Sequence, residues 1–218
     1  MTAERWTLDP AIDAFLATME LPPKEFMAQL AAERAPIEAA APKLGESAPE
    51  FTAKRLSADG SRTGESVKLA DFRGEPLALL FGNYTCPVYR GQIERFDEIY
   101  AELHERLNFL LIYTREAHPE DGWQVGINHD QDVVYHQPTT VEARAAIAST
   151  CMTRHDIRMP VALDDMGDSI NKQYSGSPER LYLIDGDGIV RHRSGPGPFK
   201  LATIEAWHQA LKMGSDPI

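Results

Sequence analysis

At 218 residues, 43% hydrophobic and 25% charged, the chain has the length and composition of a globular protein that buries a full core. Its 33 acidic side chains outnumber 22 basic ones for a net charge of −11, which argues against nucleic acid and anionic membranes as partners. No apolar run reaches the roughly 18 residues of a spanning helix, and MTAERWTLDP lacks the basic start and apolar core of a signal peptide. A cytoplasmic protein is expected, with its two cysteines, Cys86 and Cys151, as thiols.

Residues 1–43 read as a helical extension and 44–218 as the main domain. Asp9-Pro10 starts one helix, with an acceptor at the cap and proline at the first helical position. Pro22-Pro23 ends it, and a second helix runs from Lys24 to about Ala39 with Phe26, Leu30, Ala31 and Ile37 as its apolar stripe. That stripe is narrow and flanked by acids, which disfavours a membrane anchor and leaves an arm packed on the main domain, with a dimer contact or a surface-docking device as alternatives.

Short strands are expected at Pro49–Ala53 and Val67–Leu69, with turns at Ser57–Gly60 and Asp71–Gly74. PLALLF, Pro76 to Phe81, is the continuous apolar run of a strand covered on both faces. After Cys86-Pro87, residues Ile93, Phe96, Ile99, Tyr100 and Leu103 recur at helical spacing, and NFLLIY from Asn108 to Tyr113 makes the next buried strand. Residues 114–137 form a polar segment without periodicity, a length that in a compact domain points to function or disorder. Thr139 and Glu142 form a capping-box pattern for a helix over 139–155. Met159–Leu163 is a candidate strand and Asp168–Tyr174 a short helix. Arg180–Ile184 and Ile189–Arg193 flank the turn Asp185–Gly188 as a hairpin, and Thr203–Leu211 closes the domain with a helix. This order describes an α/β protein with a thioredoxin-like fold, a mixed sheet flanked by helices, with strands added before it and a segment inserted at its centre.

Parallel strands place their carboxyl ends on one edge of a sheet, so Cys86 and the cluster Tyr113, Glu116 and His118 should meet there. Cys86 follows a buried strand and opens a helix whose first residue is Pro87. Helical N–H groups and the dipole favour thiolate there; lowering a free-thiol pKa of ~8.5 by about 1.5 units makes half of it thiolate at pH 7. Position 89 is Tyr and position 84 is also Tyr, so no dithiol lies close in sequence. Cys151, on the 139–155 helix, reads first as a structural thiol and second as a candidate resolving thiol, which would need its Cα within about 7 Å of that of Cys86. Tyr113, Glu116 and His118 can each donate or relay a proton, His118 near neutral pH. His129, Asp130, Asp132 and His136 match no ligand spacing, so no metal is expected. Ser177-Pro178 stands where this fold carries a cis-proline facing the reactive cysteine, and Arg180 follows.

As a set these residues resemble the iodothyronine deiodinases. The segment GESAPEF through LADFRGEPLALLFGNYTCPVYR is similar to that family and to peroxiredoxin-like proteins, and YTREAHPEDGW is the more specific match. HQPTTVEAR and SPERLYLIDGDGIVRHRSGPGPFKLATIEAWHQAL agree with it, so the resemblance covers about residues 45–211. It implies that Cys86 takes the place of a selenocysteine nucleophile, with Thr85 and Pro87 as its neighbours. Tyr113, Glu116 and His118 then match proton-relay positions, and His136 and Arg180 match substrate-binding positions. It further implies an iodoaromatic substrate, an external thiol reductant, no bound cofactor and a homodimer. Alternatives are a thiol peroxidase taking peroxide, although position 83 is Asn where that chemistry wants Thr, and a non-catalytic binding module.

Overall fold

The computed structural model describes residues 24–195 and 201–214. The helix expected from Asp9 lies outside the described residues. The first described element is helix α1, Lys24–Ala40, which contains Pro36 and buries none of its side chains. Strands β1 (Thr52–Leu56) and β2 (Arg62–Lys68) form an antiparallel pair, followed by a short 3-10 turn at Leu69–Phe72. Both strands sit a few residues from their expected places. The turn between them requires a positive φ at Gly60, whose absent side chain leaves room for Ser149.

The centre is β3 (Leu77–Gly82), α2 (Pro87–Leu103) and β4 (Asn108–Tyr113), with β3 and β4 parallel and in register from Leu77/Asn108 to Gly82/Tyr113. A short helix α3 (Gly126–Asp130) interrupts the polar segment, where no periodicity announced it. Helix α4 (Val141–His155) follows; its cap is Thr140, whose hydroxyl accepts the Ala143 N–H at 3.2 Å, one residue later than the Thr139–Glu142 pattern suggested. Glu142 is exposed and pairs with Arg62 instead of closing a capping box. Strand β5 (Val161–Leu163), helix α5 (Ser169–Tyr174), the hairpin β6 (Arg180–Ile184) and β7 (Val190–Arg193), and helix α6 (Leu201–Gly214) complete the order.

The seven strands form one sheet in the order β2-β1-β5-β4-β3-β6-β7, parallel at β3/β4 and β4/β5 and antiparallel elsewhere. Both faces are covered, which is why β3, β4 and β6 are apolar at nearly every position. Ala78, Leu80, Leu111, Leu181 and Leu183 face a core built with α2, α4 and α6. Leu79, Phe81, Ile112 and Tyr182 face the opposite core, with Tyr174 of α5. This two-fold alternation decides which side chains after β3, β4 and β6 reach the α2 side of the sheet edge. Among the described residues, no helix is long and apolar enough to cross a membrane.

Candidate active site

At the carboxyl edge of β3 the chain turns through Asn83, Tyr84 and Thr85, all fully buried, into Cys86, the N-cap of α2. Pro87 occupies the first turn of the helix, where its missing N–H costs nothing. The buried turn is satisfied from neighbouring segments. Asn83 Nδ2 donates to the Pro178 carbonyl at 3.0 Å, and its Oδ1 accepts the Ala117 N–H at 3.0 Å. The Ser177–Pro178 bond is cis, as the sequence suggested, and Pro178 borders the same cavity as Cys86. Below the turn, Arg90 Nη1 donates to the Tyr84 carbonyl at 2.6 Å and Asn128 Nδ2 to the Thr85 carbonyl at 3.0 Å. Arg90 and Asn128 also bond each other at 2.7 Å. The sequence offers one signal for them, an arginine at the fourth position after Cys86, one helical turn beyond the thiol.

Tyr113, Glu116 and Thr85 form one linked unit. The Tyr113 hydroxyl donates to Glu116 Oε1 at 2.5 Å and accepts the Tyr84 N–H at 3.0 Å. Glu116 Oε2 accepts the Thr85 N–H at 2.9 Å, and Thr85 Oγ1 accepts the His118 N–H at 3.0 Å. Burial raises the Glu116 carboxyl above its ordinary range, opposed by the Tyr113 and Thr85 hydrogen bonds. Burial also pushes the Tyr113 phenol well up. His118 joins the unit through its backbone only. Its Nδ1 lies 3.1 Å from the Trp123 carbonyl, an acceptor, so Nδ1 carries the proton and Nε2 of the neutral ring is bare. Burial lowers its pKa to about 4, which keeps the ring neutral at pH 7.

Cys86 is 3% exposed, and burial pushes its thiol up to about 12. This overturns the expectation of a depressed pKa. The N–H groups of Tyr89 and Val88 and the charge of Arg90 act downward as a helix start should, but loss of water outweighs them. Glu179 also acts upward on the thiol. It is itself fully buried with both carboxyl oxygens unpartnered, and burial holds its proton well above the usual carboxylate range. Burial is the larger of the two upward effects on the thiol.

A cavity of about 610 Å³ lies over this edge. Its floor includes Cys86, Pro87 and Val88; Glu116, His118 and Trp123 border it from the segment after β4, and Ser177 and Pro178 from the turn before β6. Its roof is α1, through Phe26, Met27, Leu30, Arg34 and Ile37. Phe26 meets Trp123 edge-on at 6.5 Å between ring centroids, and Arg34 Nη2 donates to the Ser177 carbonyl at 3.1 Å. The sequence offers the arm as packed on the domain, a dimer contact or a docking device; its contribution to this cavity carries no signal of its own.

Two expected site residues are elsewhere. Arg180 is fully buried on the opposite face of the sheet, in register with Phe81, where it bonds Glu38, the Ser175 carbonyl and the Ser194 carbonyl. Alternation along β6 turns it away from the cysteine. His136 is exposed outside the cavity and pairs with Glu120 at 3.2 Å. Cys151 is a free thiol buried in the α4 core and does not border the cavity; Cys86 is also free.

Comparison with known proteins gives the chain's family and fold. The family model for iodothyronine deiodinase matches residues 25–212, so it includes α1, beyond the stretch 45–211 suggested by the motifs. Thyroxine 5-deiodinase of Gallus gallus is 31% identical over 150 residues, 67% of this chain and 56% of that protein. Type II iodothyronine deiodinase of Homo sapiens is 29% identical over 182 residues, 76% of this chain and 66% of that protein. The chain thus spans between half and two thirds of these relatives' length. A Chlorobium tepidum structure described as a thiol:disulfide interchange protein superposes with a TM-score of 0.58 at 17% identity, covering 81% of this chain and all of that one. The fold is thioredoxin-like.

Proposed function

Because this chain belongs to the iodothyronine deiodinase family, we propose that it is a thiol-dependent oxidoreductase that removes iodine reductively from iodoaromatic compounds, with Cys86 as nucleophile. The observation that carries the reading is that Cys86 and His118 border one largely apolar cavity, of a size suited to an aromatic molecule. The His118 Nε2 lone pair takes the thiol proton as sulfur attacks iodine. The S–I bond forms as the C–I bond breaks, and the proton passes to the aryl carbon. Cys86–SH and Ar–I thus become Cys86–S–I and Ar–H. One external thiol then displaces iodide to leave a mixed disulfide, and a second restores Cys86 and departs as the oxidised reductant.

In this reading Tyr113 and Glu116 hold the 84–86 turn in place and stand behind His118. No bound cofactor is required. A homodimer and a cytoplasmic setting belong to the same proposal, and sedimentation of the purified protein tests the first.

The test is release of iodide from iodothyronines and iodophenols by the reduced protein, with Cys86→Ala as control and hydrogen peroxide consumption measured alongside. Iodide release that disappears with Cys86 supports the reading. Absence of release from every iodoaromatic, with rapid peroxide turnover, would replace it with a thiol peroxidase.

A further inference from the structure

The two side chains that the family resemblance assigned to substrate, Arg180 and His136, are absent from the cavity walls. The cavity has a cation of its own. Met27, Leu30, Arg34 and Ile37 recur at intervals of three and four, which places them on one face of α1, and all four border the cavity. None is fully buried, so the apolar stripe of α1 faces the cavity.

Arg34 is the basic residue of that face. Among the described residues its hydrogen bond goes to a carbonyl, that of Ser177, and no carboxylate lies within ion-pair distance. Among the described residues its other N–H donors meet no protein acceptor, so a ligand can take them from water. Its surroundings add to the demand for an anion. Burial acts against the guanidinium charge, Arg180 and Arg115 repel it, and of the two groups that favour it, Cys86 and Glu38, the carboxylate of Glu38 is engaged by Arg180 and Arg193. Arg115 also borders the cavity, and among the described residues its guanidinium pairs with Asp168 at 3.9 Å. Glu33, the other acid on the roof, is exposed and accepts from Gln29. A second donor waits beside the cavity: the indole N–H of Trp123 is buried with no acceptor. A buried, unpartnered indole N–H and a half-buried guanidinium on an apolar wall favour a ligand that brings acceptors.

We propose that Arg34 is the anion anchor of this cavity, binding the carboxylate of an aromatic acid whose ring lies against Met27, Leu30 and Trp123 and whose halogen faces Cys86. The arm helix is then part of the active site and sets a preference for acidic over neutral aryl iodides. The assignment of the halogen rests on the deiodination reading; the anion site does not.

The full-length protein is assayed with 4-hydroxy-3-iodophenylacetate and with its neutral analogue carrying a hydroxyethyl group in place of the carboxymethyl. Arg34→Ala should raise KM for the acid by ~10–100-fold, the range for a lost charge-assisted pair, with kcat within about threefold and the neutral compound unaffected. Arg34→Lys should restore part of the loss. An equal fall in kcat for both compounds would mean that Arg34 serves the thiol, and would overturn the proposal. If neither compound releases iodide, the deiodination reading fails on its own and calorimetry with iodine-free 4-hydroxyphenylacetate decides the anion site. Binding to wild type that is lost in Arg34→Ala sustains it, and no binding or equal binding ends it.

Discussion

Arg180, fully buried at the start of β6, is ion-paired with Glu38 near the carboxyl end of α1, and Arg193 of β7 bonds the same carboxylate at 2.7 Å. A residue that the family resemblance assigned to substrate thus fastens the roof of the cavity to the sheet.

Removing the carboxylate in Glu38→Ala leaves a buried guanidinium short of its counter-ion. Because Glu38 is itself 39% exposed, the expected loss is on the order of 2 kcal/mol, below that of a fully buried pair. Its two arginines and Ser175 hold the Glu38 carboxyl below its ordinary value. The contribution is therefore present above the unfolded carboxylate pKa and fades as pH falls through the folded one. Urea unfolding at pH 7 and pH 4 checks this: the penalty should shrink at the lower pH, and an unchanged midpoint at pH 7 would remove the fastening role.

The Cys86 thiol should behave as a buried, protonated group when the cavity holds no ligand. With its pKa pushed up to about 12, thiolate at pH 7 is on the order of a thousandfold scarcer than for a free cysteine. Alkylation by iodoacetamide should be slow at pH 7 and still climbing above pH 9. A rate that reaches its plateau below pH 8 would contradict the geometry of the closed site.

His118→Ala should lower kcat by about 10²–10⁴ and leave KM within a few-fold, since the ring moves protons and does not grip the substrate. Tyr113→Phe acts differently. It strips partners from Glu116 Oε1 and the Tyr84 N–H, both buried, so it should cost ~1–3 kcal/mol of stability together with a smaller loss of kcat. Equal effects of the two variants on kcat, without a stability change in the second, would show that Tyr113 handles protons directly.

Glu179 gives the stability a distinct pH dependence. Its folded pKa is raised, so its neutral form favours the folded state. That advantage is complete below the unfolded pKa of about 4.3 and is lost as pH rises, at up to ~1.4 kcal/mol per unit. Glu116 and Asp164, the latter raised to about 6 by burial, contribute in the same direction. Glu179→Gln should therefore gain stability relative to wild type between pH 5 and pH 8, with Glu116 and Asp164 leaving a residual slope. Parallel wild-type and variant curves over that range would mean that water or a proton donor reaches Glu179.

Local sequence alone determined the elements and the edge at which they converge. PLALLF and NFLLIY are apolar throughout because both sheet faces are covered, and Cys86-Pro87 marks a helix start because proline is tolerated there. The cis bond before Pro178 and the gathering of Cys86, Glu116 and His118 at one cavity were legible from the same logic. Tertiary structure decided the rest. The thiol's protonation follows from how much water the turn and α1 exclude, which no local motif encodes, and here desolvation outweighs the helix start. The placements of Arg180, expected at the site, and of Arg34, which carried no expectation, have a related reason. One residue of alternation on β6 sends Arg180 to the far face, and a helix 40 positions or more before the cysteine folds back to set Arg34 over the site.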